Sequence, residues 1–76
     1  MRKFHRGCTY RHNTSGDLDI YVVSIPYFDD SRSKLKVMWV SKKTGKFVYF
    51  PGGRADGIAS IEIKADDYKY WTQIKK

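Results

Sequence analysis

Three groupings of residues have the types that catalysis or metal binding uses. Asp29/Asp30 and Asp66/Asp67 are paired carboxylates, His5, Cys8 and His12 set a thiol between two imidazoles, and Gly52-Gly53-Arg54 puts glycines beside a guanidinium. Acid–base catalysis needs its carboxyl groups within reach of one reacting centre. Neighbours on extended chain point to opposite faces, so neither aspartate pair converges, and Asp66 reads better as a helix cap. Cys8 and His12 would share a strand face about 13 Å apart, too far for a nucleophile to touch its base. Cys8 reads as a small buried residue, and His5 as an addition to the basic N-terminal segment. One cysteine and two histidines do not complete the four-ligand shell of a structural zinc. A single cysteine also forms no internal disulfide, which points to a reducing compartment, the cytoplasm. The glycine pair lacks the Gly-Lys-Ser/Thr ending and following helix of a phosphate loop, leaving a hinge from which Arg54 reaches a phosphate. The expectation is a protein that is not an enzyme and carries no cofactor or metal.

The charge has more content. The 76 residues carry a net charge of +7, and it is segregated along the chain. Residues 1 to 12 hold Arg2, Lys3, Arg6 and Arg11 with no acid. Residues 13 to 31 hold Asp17, Asp19, Asp29 and Asp30 with no base. Residues 32 to 54 hold Arg32, Lys34, Lys36, Lys42, Lys43, Lys46 and Arg54 with no acid, and the remainder balances. The third block is interleaved with Trp39, Tyr49 and Phe50. Cations neutralise phosphates while aromatic faces stack on bases, so Arg32, Lys34, Lys36, Lys42, Lys43, Lys46, Arg54 and Tyr49 form a candidate nucleic-acid-binding hairpin, with Arg2, Lys3, Arg6 and Arg11 as a secondary basic patch. The plain alternative is a soluble surface whose lysines blunt an edge strand. The acidic block beside it makes a bipolar surface suited to a protein partner, and Tyr27, Phe28, Asp29 and Asp30 are its candidate contacts.

The elements that must position these residues are short strands. Glycines and prolines at 7, 16, 26, 45, 51, 52, 53 and 57 cut the chain into strand-length pieces without helical periodicity. A first strand is expected from Arg6 to Arg11 and a polar turn at residues 13 to 17. A second strand runs from Leu18 to Ile25, with Leu18, Ile20 and Val22 on one face and Asp19, Tyr21 and Val23 on the other. Pro26 ends it, and residues 27 to 33 form a loop. Leu35, Val37 and Trp39 alternate with Lys36, Met38 and Val40, so Lys34 and Lys36 face outward. The chain turns at residues 41 to 46, with Gly45 supplying positive φ, and returns through residues 47 to 50. A loop over residues 51 to 57 leads to a strand from Ile58 to Lys64, with Ala59, Ile61 and Ile63 on its core face. Residues 66 to 68 make a short helical turn before a closing strand over 69 to 74, or residues 66 to 74 make one short helix. An open edge beside the first strand favours the closing strand. Twelve aromatic residues exceed what so small a core hides. Trp39 or Trp71 is expected at its centre, with Tyr27, Phe28, Tyr49 or Tyr70 left outside.

Five to six short strands in a single domain spanning residues 1–76 predict an all-β small barrel. Asp19-Ile20-Tyr21-Val22-Val23, the 35–50 hairpin and Ile61-Glu62-Ile63 followed by Ala65-Asp66-Asp67-Tyr68 resemble, in order and spacing, the Src-homology-3-like small barrels, the Tudor-like and chromo-barrel-like domains among them. The resemblance implies a fold and not a ligand. The Ala-Leu-Tyr-Asp-Tyr motif for proline-rich ligands is missing, Pro26-Tyr27-Phe28-Asp29-Asp30 being a loose echo.

No stretch of eighteen apolar residues is present, so no membrane-spanning helix is expected, and the basic start lacks the apolar run of a signal peptide. The functional expectation is a binding module for DNA, RNA or a nucleoprotein. The alternative is a protein-interaction module, such as a small inhibitor or adaptor of the kind phages and mobile elements direct at nucleic-acid-processing host machinery.

Overall fold

A computed structural model describes residues 3–14, 16–49 and 57–76. Its strands are β1 (Thr9–His12), β2 (Leu18–Phe28), β3 (Arg32–Ser41), β4 (Phe47–Val48), β5 (Ile58–Lys64) and β6 (Trp71–Lys75), with a 3-10 helix over Ala65–Tyr70 between the last two. All pairings are antiparallel. The order is β4-β3-β2-β1-β6, and β5 joins the same edge of β3 as β4 does. β5 pairs with β3 from Arg32 to Met38, and β4 takes over at Trp39 and Val40. The sheet curls into an all-β half-barrel.

The β2–β3 hairpin is the longest element, and it is longer than expected. Pro26 does not end β2. The register jumps from Ser24↔Lys36 to Tyr27↔Lys34, three residues advancing against two. Pro26 sits in that bulge, where its missing N–H is not asked for a ladder bond. The expected loop over residues 27 to 33 therefore shrinks to residues 29–31. Asp29 builds the turn: its carboxylate accepts the Ser31 N–H at 2.7 Å, the Ser31 hydroxyl at 2.6 Å and the Arg32 N–H at 3.0 Å. At the other end of β3 the turn falls where the spacing predicts, with Gly45 at φ 71°, a region that costs a side-chain-bearing residue about 1–2 kcal/mol.

Alternation along these strands buries Ile20, Val22, Leu35, Val37 and Ile63 of the predicted inward faces, while Leu18, Ala59 and Ile61 are only partly buried and Asp19 and Val40, expected outward, are buried. The centre is not a tryptophan, however. Phe4 and Tyr10 occupy it, and Phe4 meets Tyr10, Tyr68 and Trp71 edge to face at centroid distances of 4.8, 5.5 and 6.2 Å. Trp39 lies beside two-residue β4 and Trp71 at the helix–β6 junction, where the sheet is open, so both pack on the core only partly buried. Tyr10 can go deep because its hydroxyl accepts the His5 N–H at 2.8 Å.

The N-terminal strand is also displaced: residues 6 and 7 form a turn and β1 starts at Thr9. Gly7 N–H donates to the Val22 carbonyl at 2.8 Å, so the segment still follows β2. At the C-terminus the closing strand forms and pairs with β1, covering the edge that would otherwise stand open. Asp66 does not cap the 3-10 helix; it lies in the first turn, and Lys64 holds the cap position without a side-chain bond. The junction is pinned elsewhere: Asn13 N–H donates to Tyr70 O at 2.7 Å, and the Thr72 hydroxyl donates to Asn13 Oδ1 at 2.7 Å. No helix of the described residues is long and apolar enough to cross a membrane.

Candidate functional site

The residues first considered for chemistry stand apart. Cys8 packs half-buried against the core, while His12, at the end of β1, meets Tyr70 and Trp71. Asp29 is consumed by its turn. The Ser31 hydroxyl, the Tyr27 hydroxyl and the Ser31 N–H hold its carboxyl well below the usual carboxylate range. The same carboxylate, 2.5 Å from the Tyr27 hydroxyl, raises that phenol. Among the described residues, no three His, Cys, Asp or Glu side chains are grouped to hold a metal.

The basic block is divided by the length of β3. Lys34 and Lys36 project outward, alternating with buried Leu35 and Val37, opposite Glu62 and Ser60 of β5. Arg32 lies 3.6 Å from Glu62 and 5.7 Å from the Tyr27 ring centroid, and the Lys34 ammonium is 5.9 Å from the same centroid. Lys42, Lys43 and Lys46 belong to the other end. From Lys36 to Ser41 the strand advances about 17 Å, roughly two Debye lengths at physiological salt, so the two groups act as separate patches.

Around the Lys42 end the outer face of the sheet is concave. A cavity of about 380 Å³ is lined by residues of β1, β2, β3, β4 and β6 and the intervening turn. Cross-strand register explains its floor: Thr9 faces Tyr21, Asp19 faces Val40, and Val40 faces Phe47. Phe47 and Ile74 are exposed at 47% and 38%, and the Phe47 ring meets Tyr21 at 5.6 Å with planes 66° apart. Lys42, Lys75 and Lys76 complete the lining.

The acid in this lining is already neutralised. Asp19, 2% exposed, takes a two-pronged bond from Arg11, Nε to Oδ1 at 2.9 Å and Nη2 to Oδ2 at 3.0 Å. That bond raises the Arg11 guanidinium further. Asp19 is therefore no part of an exposed acidic patch, and Arg11 has left the secondary basic patch to serve it. A planar fork matched to a carboxylate is what makes such burial tolerable.

Of the other residues singled out, Arg6 is exposed beside His5, Ser24 and Ile25, and Lys3 is half-buried. Tyr49 is 59% exposed, with its ring against Gly57 so closely that a Cβ there would collide with it. Tyr27 and Phe28 are exposed at the far end of β2, as anticipated. Arg2, Arg54, Phe50 and the rest of the 51–56 loop lie outside the described residues. Tyr21, Phe47, Ile74, Lys75 and Lys76 were not among the candidates. The outward register of Asp19 and Tyr21 was a signal for the first; the others depend on which strands become neighbours. No family model matches the chain, and no curated protein or solved structure is similar enough to inform the reading.

Proposed function

We propose that this domain is a non-enzymatic, cytoplasmic binding module that takes nucleic acid on the outer face at its Lys42–Phe47 end. The observation that carries this reading is the concavity where exposed Phe47 and Ile74 adjoin Lys42, Lys75 and Lys76, with the Asp19 carboxylate in its lining already paired to Arg11. Such a surface attracts an anion through its rim and offers apolar contact within. A 3-10 helix between β5 and β6, with β6 closing on β1, supports the likeness to Src-homology-3-like barrels of the Tudor or chromo-barrel kind. That likeness bears on the scaffold alone.

The test is a salt series. Mixed-sequence oligonucleotides should lose roughly a thousandfold in affinity between about 50 and 200 mM salt if about six phosphates are neutralised. The double variant Lys75→Glu/Lys76→Glu should weaken binding and flatten the slope. Finding no oligonucleotide retained at the lower salt overturns the reading.

A second reading has its own observation. Exposed Tyr27 and Phe28 follow Pro26, which lines a hollow of about 410 Å³ with Leu35 and Ile61 and the charged Lys34, Lys36 and Glu62. This end suits a protein partner, and an inhibitor or adaptor would use it.

A further inference from the structure

We infer that the nucleic acid taken at the Lys42–Phe47 face is single-stranded, with an unpaired base seated on the Phe47 ring. The inference rests on the nucleic-acid reading above and names the state of its ligand. Three features of the face point there. First, the exposed aromatic is a wall of a concavity and not a protrusion. At about 380 Å³ the hollow is near the lower end of ligand-sized cavities, roughly 300–1,000 Å³. It admits one flat heterocycle and not the side of a duplex, whose base faces are covered by their neighbours in the stack. Second, the platform is supported. Tyr21 meets the Phe47 ring edge to face, and Val40 lies opposite it across the β3–β4 pair, while nearly half of Phe47 stays exposed to receive a base. Third, cations share the lining. Lys42, Lys75 and Lys76 stand in it with Phe47 and Ile74, so a backbone neutralised by them can turn a base onto the ring. The Lys42 ammonium donates to the Gly16 carbonyl at 2.8 Å, which holds one of these charges in place.

An acidic peptide would satisfy the lysines and leave Phe47 without a flat partner. A duplex would do the same. Aromatic stacking accepts any base, so the face should show little sequence preference.

The experiment compares an unstructured single strand of about ten nucleotides, within the range of small single-strand sites, with the same sequence as a duplex. Polyglutamate serves as competitor. The single strand should bind at least about tenfold more tightly than the duplex, and polyglutamate should compete poorly. Phe47→Leu, which keeps apolar volume and loses the flat face, should cost about tenfold on the single strand with an unchanged salt slope. Phe47→Tyr should retain binding. Because β4 is short, the wild-type protein supplies an independent readout: Phe47 ring-proton shifts should move on titration with the single strand. Equal affinity for duplex, wild-type affinity of Phe47→Leu, unmoved Phe47 ring protons or full competition by polyglutamate overturns the inference. If those results come while Lys75→Glu/Lys76→Glu still weakens binding, the nucleic-acid reading stands without it. If neither nucleic-acid form binds at low salt, both fall.

Discussion

The two ends of β3 each carry three basic residues, Arg32, Lys34 and Lys36 at one and Lys42, Lys43 and Lys46 at the other, and the turns beside them are built differently. At the Asp29 end, charged groups build the turn. Asp29 accepts from Ser31, Arg32 and Tyr27, while Arg32 lies between Glu62 and the Tyr27 ring. At the Gly45 end, neutral hydroxyls do that work. Ser41 Oγ accepts the Lys43 and Thr44 N–H groups at 3.2 and 3.4 Å, and Thr44 Oγ1 accepts the Lys46 N–H at 3.2 Å. The backbone adds Gly45 N–H to Ser41 O and Ser41 N–H to Lys46 O, both at 2.9 Å. Serine and threonine satisfy the turn, and the ammonium groups of Lys43 and Lys46 have no carboxylate partner among the described residues. A charge already paired with a carboxylate has little left for a ligand, whereas Lys42, held on the neutral Gly16 carbonyl, keeps its charge. Position along β3 therefore sets whether a basic residue has a carboxylate beside it, as Arg32 has Glu62, or a turn built by neutral hydroxyls, as at Lys43 and Lys46.

The largest stability effect at the Gly45 end should come from Arg11→Met. It leaves the buried Asp19 carboxylate without its fork, and a stranded buried charge is costlier than any exposed pair. The denaturant midpoint should fall further than for any surface change described below, with Arg11→Lys restoring only part of the loss. A midpoint like that of the wild type would mean that Asp19 is not held by this pair, and the concavity would regain a negative charge.

Gly45→Val tests the turn itself. A β-branched residue at φ 71° should cost about 1–2 kcal/mol in chemical denaturation. An unchanged midpoint would place the positive-φ residue elsewhere.

Charge reversal separates the two ends by binding and not by stability. Lys34→Glu/Lys36→Glu and Lys75→Glu/Lys76→Glu should each shift stability by no more than about 0.5 kcal/mol per site, as exposed positions do. Only the second should flatten the salt dependence of single-strand binding, by about 0.7 in slope for each phosphate no longer neutralised. Equal flattening by both would show that a ligand spans the whole of β3, and the division between the ends would fail.

The smallest effect belongs to acid. The Asp29 carboxyl is depressed in the folded protein, so its contribution is present above the unfolded value of about 3.9 and is lost as pH falls below that toward the folded value. Asp29→Asn should therefore be less stable than wild type near neutrality, with the gap closing as pH drops from about 5 to 2. A gap independent of pH would mean that the carboxylate's charge adds nothing to the turn.

Much of the fold was legible in the residues because it depends on neighbours in the chain. Alternation along residues 18–23, 34–38 and 58–64 sets which side chains turn inward, and the Gly45 turn and the closing strand followed from backbone chemistry and an uncovered edge. Pro26 misled because a bulge is a property of two strands: proline forbids one ladder bond, and only the partner strand decides whether that bond is needed. Asp66 misled for a similar reason, since an acidic residue near a helix start can cap it or lie within its first turn. Phe4 was missed as the centre of the core because it stands outside any strand pattern and is buried only by rings from distant segments, Tyr10, Tyr68 and Trp71. The candidate surface was legible as lysines interleaved with aromatics, but not as a site. Phe47, Ile74, Lys75 and Lys76 come from segments more than twenty-five residues apart, joined through β1, β2 and β3. The strands, their inward faces and the excess of positive charge follow from the order of residues alone, since these depend on local sterics, period and composition. Which charges are spent, on turns and on Asp19, and which are left beside an exposed ring is settled by the folded chain, because it depends on distances between segments that the order of residues does not contain.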